Sequence, residues 1–446
     1  MVTARSTATG ARAPATRRAR LRAPALLTAA VLGAGVLAAC GSEESTPTLT
    51  WYVNPDTGGQ ARVAEECTEE AGGAYRITTS ILPNDADGQR EQLIRRLAAG
   101  DTGIDLMSLD PPFVPEFAEA GFLLELPDDL QEEVTTDVVE SAVVGATWRD
   151  QIVAAPFWAN TQLLWYRKSV AEAAGLDMEQ PVTWDQIVEA AEQQDATIGV
   201  QGNRYEGYVV WINALIASAG GQIIENPEAE PEELQAGVES EAGTTAAQII
   251  RDVTGSGLAG GGVTTADEEA ARALFQGDSG GFMVNWPYVW AAFDAGVEGG
   301  QLDESFIEDV GWAVYPQAVE GEDAAPPFGG ILLGIGAYTE YPDEALEAMT
   351  CIVAPEKQAA YMVSDGNPAA SIEAYEDAEV QETFPMADAI LESLQQAQPR
   401  PQTPYYGEVS GSLQRTWHPP TSLNPDTAPA AADDLIVGVI RGESLL

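Results

Sequence analysis

The sequence predicts an α/β fold in which helices cover a mainly parallel sheet, spread over two or three domains. The chain has 446 residues, which is too long for one ordinary hydrophobic core. Its hydrophobic residues make up 45% and its charged residues 20%, a balance typical of globular proteins. Short β-rich runs alternate with amphipathic helical runs along most of the chain, and this alternation is typical of layered α/β folds.

The alternation is clearest at the start of the globular region. Runs rich in β-branched and aromatic residues predict strands, and Asn-Pro, Asp-Pro and glycine positions end them. In order, the predicted elements are a strand at 48–53, a helix at 59–71, a strand at 75–82, a helix at 89–99 and a strand at 104–109.

The same pattern continues toward the C-terminus. Thr183 and Gln186 have the spacing of a capping box and predict the start of a helix. The acidic stretch 225–241 predicts a solvated surface. The other predicted elements are strands at 161–166, 281–285 and 330–336, a helix at 343–354, and mostly helical structure until a segment that contains Pro399, Pro401, Pro404, Pro419 and Pro420.

The N-terminal residues predict an export signal. Residues 1–22 carry six arginines and no acid, and an apolar run follows to Ala39. Leu37-Ala38-Ala39-Cys40 resembles the bacterial lipobox, which implies cleavage before Cys40 and diacylation of its thiol. We therefore expect a signal peptide at 1–39, a lipidated tether at 40–47, and attachment to the membrane through lipid only. The alternative is a plain exported protein whose cysteine stands there by chance.

The charge and the side-chain inventory exclude several classes of protein. Acidic residues outnumber basic ones 70 to 21 and give a net charge of −49, which repels nucleic acid and anionic membrane surfaces. The single histidine, His418, and the three cysteines exclude a His-rich metal site or a cysteine-based zinc module. We expect no metal, no cofactor and no nucleic-acid partner.

Two cysteines remain after the predicted cleavage and lipidation. Cys67 and Cys351 can pair as a disulfide in an oxidising compartment. The alternative is two unpaired small hydrophobic residues, and Cys67 fits it because it shares a helical face with Val63 and Ala71.

Polar and aromatic side chains follow several predicted strands, where ligands bind in open α/β sheets. Asn54 follows the first strand, Asp110 follows the strand at 104–109, and Trp286 follows the strand at 281–285. Asn160 lies between two strand-like runs. Carboxylates and amides can bind sugar hydroxyls, and an indole can pack on the apolar face of a sugar ring, so these residues predict a saccharide site.

Segments across nearly the whole predicted mature chain resemble the extracellular solute-binding proteins of carbohydrate ABC importers. Asn285-Trp286-Pro287 and the run ANTQLLWYRK at 159–168 are most similar to actinobacterial trehalose-binding lipoproteins. The segments that carry the wider resemblance are 100–126, 156–176, 181–191, 280–290 and 311–349.

The resemblance implies a two-lobed periplasmic-binding-protein-like fold with a ligand cleft between lobes joined by hinge strands. Lobe one would hold 47–157 plus 331–370, including both Cys67 and Cys351, and lobe two 158–330 plus 371–446. A monomer would capture a disaccharide, with trehalose favoured, close on it, and deliver it to ABC permease subunits and their ATPase. A maltose-type oligosaccharide or another solute is the alternative ligand.

The resemblance also implies roles for particular residues. Several of these residues also have a purely structural explanation. Asn54 and Asp110 can cap turns before prolines, Glu268 can be one of many surface acids, and Arg415 can form a structural ion pair. The implied ligand-binding residues are Asn54 and Asp110 from lobe one, Asn160 near the hinge, Glu268, Trp286 with Tyr288 beside it, Gly329 and Gly330 for close backbone approach, and Arg415.

Two rival classes are an extracellular carbohydrate-active enzyme and an adhesive or structural lipoprotein. Seventy acids guarantee chance carboxylate pairs, so acids alone do not indicate a glycosidase. No nucleophile motif accompanies His418, and the GxGxxG match at 255–260 follows a predicted helix instead of a strand. The sequence has no P-loop or HExxH motif. We therefore expect a binding protein and not an enzyme.

Overall fold

Two β-sheets organise residues 46–446, the part of the chain that this computed structural model describes. Cys40 and the predicted signal peptide lie outside the described residues. The strands, numbered in chain order, are β1 (Thr48–Val53), β2 (Arg76–Ile81), β3 (Leu106–Leu109), β4 (Thr147–Trp148), β5 (Gln151–Ile152), β6 (Ala155–Asn160), β7 (Leu163–Arg167), β8 (Thr197–Gly199), β9 (Gly280–Asn285), β10 (Val310–Ala313) and β11 (Gly329–Ile335).

Helices cover the sheets and connect most of the strands. They are α1 (Gly59–Glu70), α2 (Ala86–Leu97), α3 (Val114–Glu119), α4 (Asp128–Glu133), α5 (Glu140–Gly145), α6 (Lys168–Ala174), α7 (Trp184–Gln193), α8 (Glu206–Ser218), α9 (Glu241–Gly255), α10 (Glu268–Gln276), α11 (Tyr288–Glu298), α12 (Glu304–Asp309), α13 (Pro342–Ile352), α14 (Pro355–Asp365), α15 (Ala378–Thr383), α16 (Ala387–Gln396), α17 (Tyr406–Trp417) and α18 (Ala428–Ile440).

Side-chain caps set two of the helix starts. Thr183 and Gln186 form the predicted capping box, in which Thr183 Oγ1 accepts a hydrogen bond from the Gln186 N–H at 3.2 Å and Gln186 Oε1 accepts one from the Thr183 N–H at 2.9 Å. Helix α2 begins three residues before its predicted start, because Asp85 Oδ1 accepts a hydrogen bond from the Gly88 N–H at 2.7 Å. Helices α17 and α18 extend the helical region beyond the first prolines of the Pro-rich segment.

Each sheet is the centre of one lobe. The first lobe contains the sheet with strand order β2-β1-β3-β11-β6, and the second lobe contains the sheet with order β10-β7-β9-β8. Among the described strands, β1 pairs in parallel with β2 and β3, and β8 pairs in parallel with β9. The other pairings in the two sheets are antiparallel.

The prediction of a mainly parallel sheet is therefore wrong, and the crossings between lobes explain why. Strand β6 runs out of the first sheet, and only Thr161 and Gln162 separate it from β7 in the second. Strand β11 returns to the first sheet and so runs opposite to β3 and β6. Thr161 and Gln162 are buried, and the Gln162 amide donates a 3.1 Å hydrogen bond to the Gln201 side chain, which fixes this crossing.

Separate apolar cores stabilise the lobes. Trp51 and Phe157 pack edge to face in the first lobe, with ring centroids 5.6 Å apart. In the second lobe, Trp184 contacts both Trp211 and Tyr315. Fully burying side chains of this size contributes about 1.5–3 kcal/mol each.

A disulfide links two helices of the first lobe. Cys67 of α1 is bonded to Cys351 of α13, with the two Cα atoms 5.9 Å apart. Lys357 of α14 lies beside the bond and pairs with Glu66 at 2.8 Å and Glu70 at 2.7 Å. The bond and the ion pairs together fix α1 against α13 and α14.

Within residues 46–446, none of the helices has both the length and the apolar character needed to cross a membrane.

Candidate functional site

A cavity of about 520 Å³ lies between the two lobes, where the ends of several strands meet. Its volume falls within the range of roughly 300–1,000 Å³ that is usual for small-molecule sites. Both lobes and the chain segments that cross between them supply its walls, and the lining residues that bear on function are Asn54, Asp85, Asp87, Asp110, Trp158, Asn160, Arg204, Tyr205, Glu206, Glu268, Trp286, Gly329, Gly330, Arg400 and Gln414.

Most of the residues predicted from the sequence meet in this cavity. They come from distant parts of the chain: four stand at or just after the end of a strand, Glu268 opens α10, and the two glycines begin β11. The structure brings together Asn54, Asp110, Asn160, Glu268, Trp286, Gly329 and Gly330.

Asn54 is held in place by its own loop. The Gln60 side chain donates a hydrogen bond to the Asn54 backbone carbonyl at 3.0 Å and another to Asp56 at 3.1 Å. Asp365, from the end of α14, accepts hydrogen bonds from the N–H and the hydroxyl of Thr57 at 2.9 and 2.5 Å. The Asn54 Oδ1 atom is buried and has no hydrogen-bond partner among the described residues. Among the described residues, this oxygen therefore caps no turn.

Asp110 forms a buried ion pair with Arg400. Two guanidinium nitrogens of Arg400 lie 2.5 and 3.3 Å from the Asp110 oxygens. Burial raises the pKa of Asp110, while Arg400 acts in the opposite direction. Burial alone would lower the pKa of Arg400, but Asp110, Tyr406 and Glu206 raise it well above its ordinary value. Arg400 is therefore a permanent cation in the cavity wall.

Trp286 and Glu268 are positioned by Asn285, the first residue of the Asn-Trp-Pro motif. The Asn285 amide donates a hydrogen bond to the Glu268 backbone carbonyl at 3.0 Å, and its Oδ1 accepts one from the Trp286 N–H at 2.9 Å. Burial raises the pKa of Glu268, so this carboxyl is more easily protonated than an exposed one. The motif thus sets an aromatic plate beside a carboxyl group in the second-lobe wall.

The glycines at the start of β11 allow close packing in the cavity wall. A Cβ on Gly329 would lie 3.1 Å from Cη2 of Trp286. Gly330 has a φ of +112°, and a Cβ there would lie 2.2 Å from the Trp158 backbone carbonyl oxygen. Only glycine fits at Gly330, because both the left-handed backbone and the close carbonyl exclude a side chain.

Asn160 lies at the end of β6 with its side chain 9% exposed. Its Oδ1 atom accepts a hydrogen bond from the Thr161 N–H at 3.1 Å. This bond fixes the amide at the point where the chain leaves the first sheet. Asn160 therefore lines the cavity from the hinge.

Two predicted residues lie outside the cavity lining. The Tyr288 hydroxyl donates a 2.6 Å hydrogen bond to Glu269, which turns it away from the site. Arg415 is exposed and donates a 3.0 Å hydrogen bond to the Leu445 carbonyl. Arg415 was expected in the cavity wall, but Gln414 lines the cavity instead. Consecutive residues of an α-helix point about 100° apart, so the neighbouring Arg415 points away from the cavity.

Sequence reasoning missed several lining residues. Arg400 supplies the guanidinium that was sought at Arg415, and it stands in the Pro-rich segment, where no periodic pattern points to it. Trp158 lies inside β6, and its Nε1 atom is buried without a partner among the described residues. Glu206 is the first residue of α8. An acidic residue at the start of an apolar helical run was the only sequence signal that pointed to it.

Comparisons with known proteins agree with this geometry. The family model of the bacterial extracellular solute-binding protein matches residues 64–359. A protein of Deinococcus radiodurans named "Probable ABC transporter-binding protein" is 26% identical over 404 residues, which cover 86% of this chain and 91% of that protein.

Solved structures resemble the fold over most of its length. Maltose-bound MalE3 of T. maritima superposes with a TM-score of 0.72 at 27% identity, covering 89% of this chain and 99% of that one. The GacH receptor of Streptomyces glaucescens, solved unliganded and with acarbose, gives a TM-score of 0.72 at 18% identity, covering 90% and 100%. The expected two-lobed fold with a cleft is thereby confirmed.

Proposed function

Because the chain belongs to the bacterial extracellular solute-binding protein family, whose members bind solutes and are not enzymes, we propose that it is the capture component of an ABC importer for a sugar. The favoured ligand is a disaccharide, trehalose first, and a maltose-type oligosaccharide is the second candidate. The lobes close on the ligand, and the loaded protein delivers it to permease subunits that work with a separate ATPase.

The groups that line the cavity carry the proposal. Asn54, Trp158 and Arg400 line it with an amide, an indole and a guanidinium group. A hydrogen bond between a ligand and a charged group of this kind contributes about 1.5–3 kcal/mol. A sugar suits this set because each hydroxyl both donates and accepts.

An aromatic plate and a dense set of polar groups support a sugar over an apolar solute. Trp286 can cover the C–H face of one ring, while Asp110, Asn160 and Glu268 can bind hydroxyls around it. T. maritima MalE3 is described as maltose bound, and the D. radiodurans relative is named for an ABC transporter. Both descriptions fit the proposed role.

We propose the division of the chain that the resemblance implies, in which 47–157 plus 331–370 move as lobe one and 158–330 plus 371–446 as lobe two. The boundaries after residues 157 and 330 fall inside β6 and β11, the strands at which the chain crosses between the two sheets. Asn54 and Asp110 would then bind the sugar from lobe one, Asn160 from the hinge, and Glu268 and Trp286 from lobe two. Contacts from both lobes are needed, because only those made in the closed state can stabilise closure.

The proposed location is the outer face of the cell membrane. Cys40 would carry the lipid anchor after cleavage of 1–39, as in the actinobacterial lipoproteins that the sequence resembles. The protein would act as a monomer on a flexible tether. Cys40→Ala should move the protein from the membrane fraction to the medium, and an unchanged membrane fraction would contradict the anchor.

Isothermal titration calorimetry with trehalose, maltose and maltotriose tests the ligand. Saturable heat with trehalose at micromolar concentrations, and none with the other two, supports the favoured disaccharide. Heat with maltose or maltotriose alone moves the assignment to the second candidate. The absence of heat with all three sugars, from protein that melts cooperatively, overturns the proposed sugar class. Chromatography of the sugars after incubation should show them intact.

A further inference from the structure

Glu206 is the meeting point of three hydrogen-bond donors, all of them from the second half of the chain. Its Oε1 atom accepts from Arg400 Nη1 at 2.6 Å and from the Tyr406 hydroxyl. Its Oε2 atom accepts from the Ser410 hydroxyl at 2.6 Å. Both carboxylate oxygens are thus already engaged by the protein.

Two of these donors reach across to the first lobe. Arg400 holds Asp110, which follows β3 of the first sheet. The Tyr406 ring packs edge to face on Phe113, with centroids 5.4 Å apart. Tyr406 belongs to α17, yet it is 1% exposed within an apolar cluster whose other buried members all come from the first sheet and the elements beside it. Arg400 and Tyr406 therefore join the two lobes, and Glu206 orients both.

Burial and charge make this arrangement sensitive to Glu206. The side chain of Arg400 is 4% exposed and that of Glu206 is 12% exposed. Without Glu206, one arm of the guanidinium and the Tyr406 hydroxyl would lose their acceptor in a buried place. The guanidinium orientation also sets the geometry of its ion pair with Asp110 at the cavity wall.

We propose that Glu206 is a positioning residue for ligand capture. It aligns Arg400 and Tyr406 so that they hold the lobes together and so that Arg400 keeps Asp110 in place at the cavity wall. The predicted effect on ligand affinity rests on the proposed function. The predicted effect on the distance between the lobes does not, because it concerns the sugar-free protein. Glu206 acts through the two neighbouring side chains and supplies no hydrogen bond of its own that the sugar requires.

The test measures the separation of the lobes and the affinity in the same variants. Spin labels on cysteines introduced at exposed positions of each lobe, Glu91 in α2 and Gln248 in α9, report the interlobe distance. The protein carries Glu206→Ala or Glu206→Gln. Ser410→Ala is the matched control for the interlobe distance, since it removes one donor to Glu206 and leaves the contacts of Arg400 and Tyr406 in place. It also removes the acceptor of the Gln414 amide at 3.0 Å, so it is used for the distance measurement only.

Glu206→Ala should shift and broaden the interlobe distance distribution of the sugar-free protein, whereas Ser410→Ala should leave it unchanged. For the sugar that the wild type binds, Glu206→Ala should raise Kd by at least about 30-fold, as expected when one partner of a buried charge pair is removed. Glu206→Gln should raise Kd by a smaller factor, because its amide oxygen still accepts from Arg400.

Identical distance distributions for wild type and both Glu206 variants would overturn the inference. If Glu206→Ala fails to fold, the interlobe distances and the Kd of Glu206→Gln test the inference. A wild type that binds no sugar would refute the proposed function, and the sugar-free distances would still decide the role of Glu206.

Discussion

The indole of Trp286 lies directly against the backbone of Gly329, so close that a Cβ on this glycine would stand 3.1 Å from Cη2 of the ring. Trp286 follows a strand of the second sheet, and Gly329 is the first residue of β11 in the first sheet. The ring is thus seated on the segment through which the chain returns between the lobes. The proposed sugar plate and the hinge region are in direct contact.

Replacing Trp286 by alanine should weaken sugar binding by about 2–3 kcal/mol, or about 30–150-fold in Kd, because the proposed stacking of its indole on a sugar ring is lost. Calorimetry measures the change. Trp290→Ala is the matched control, since Trp290 packs on Trp312 with centroids 5.6 Å apart and does not line the cavity. Equal affinities for wild type and Trp286→Ala would remove this residue from the site.

Gly329→Ala should reduce affinity with only a small change in melting temperature. The added methyl group presses on the Trp286 ring, which can tilt, and no backbone atom lies within 3.4 Å of the new Cβ. Gly330→Ala differs, because its new Cβ would meet the Trp158 carbonyl oxygen at 2.2 Å. We expect it to lower the melting temperature clearly. Gly329→Ala thus tests the position of the Trp286 ring, and Gly330→Ala tests the fit of the backbone. An equal decrease in melting temperature for the two variants would contradict the prediction.

Asp87→Asn should stabilise the protein at pH 7 and have little effect near pH 4. Asp87 is exposed at the cavity wall, and partial desolvation there, followed by repulsion from Glu206, raises its pKa to about 6. The folded state therefore holds this proton between about pH 4 and 6 while the unfolded state releases it, so stability falls as the pH rises through that window. Because solvent screens an exposed group, we expect only a small gain in stability. Melting temperatures at both pH values test this. Glu91→Gln, which removes an exposed acid of the same helix, controls for charge loss, and an equal gain from it would contradict the prediction.

Reduction of the disulfide should destabilise the first lobe. The bond between Cys67 and Cys351 closes a loop with a sequence separation of 284, and native disulfides contribute about 2–4 kcal/mol. Urea unfolding with and without a reductant measures the difference. The Cys67→Ala/Cys351→Ala variant should be insensitive to the reductant. A wild type whose two thiols become titratable without any loss of stability would refute the prediction.

Local sequence patterns predicted the early elements and part of the site. The strand at 48–53 has the predicted bounds, and the capping box at Thr183 is formed. Asn54, Asp110 and Trp286 could be found because each directly follows a strand, where the chain geometry itself points to the cleft.

What failed depends on contacts between distant residues. Strand direction is fixed by the crossings between lobes, which no local pattern records. Arg400 was missed because its function depends on Asp110, 290 residues earlier in the chain. Gln414 faces the cavity and the next residue of the helix, Arg415, faces the solvent. The hydrophobic pattern of the sequence does not tell which of these two adjacent polar residues faces inward.

The position of β11 has a consequence for how the chain matures. It separates β3 from β6 in the first sheet, and the Asn54 loop is held by Asp365, 308 residues beyond Thr57. A chain whose amino end emerges first therefore cannot complete its first sheet until residue 335 is available. Until then its strand edges stay open to pairing with other chains, so the yield of folded protein should depend on how quickly the C-terminal part of the chain follows.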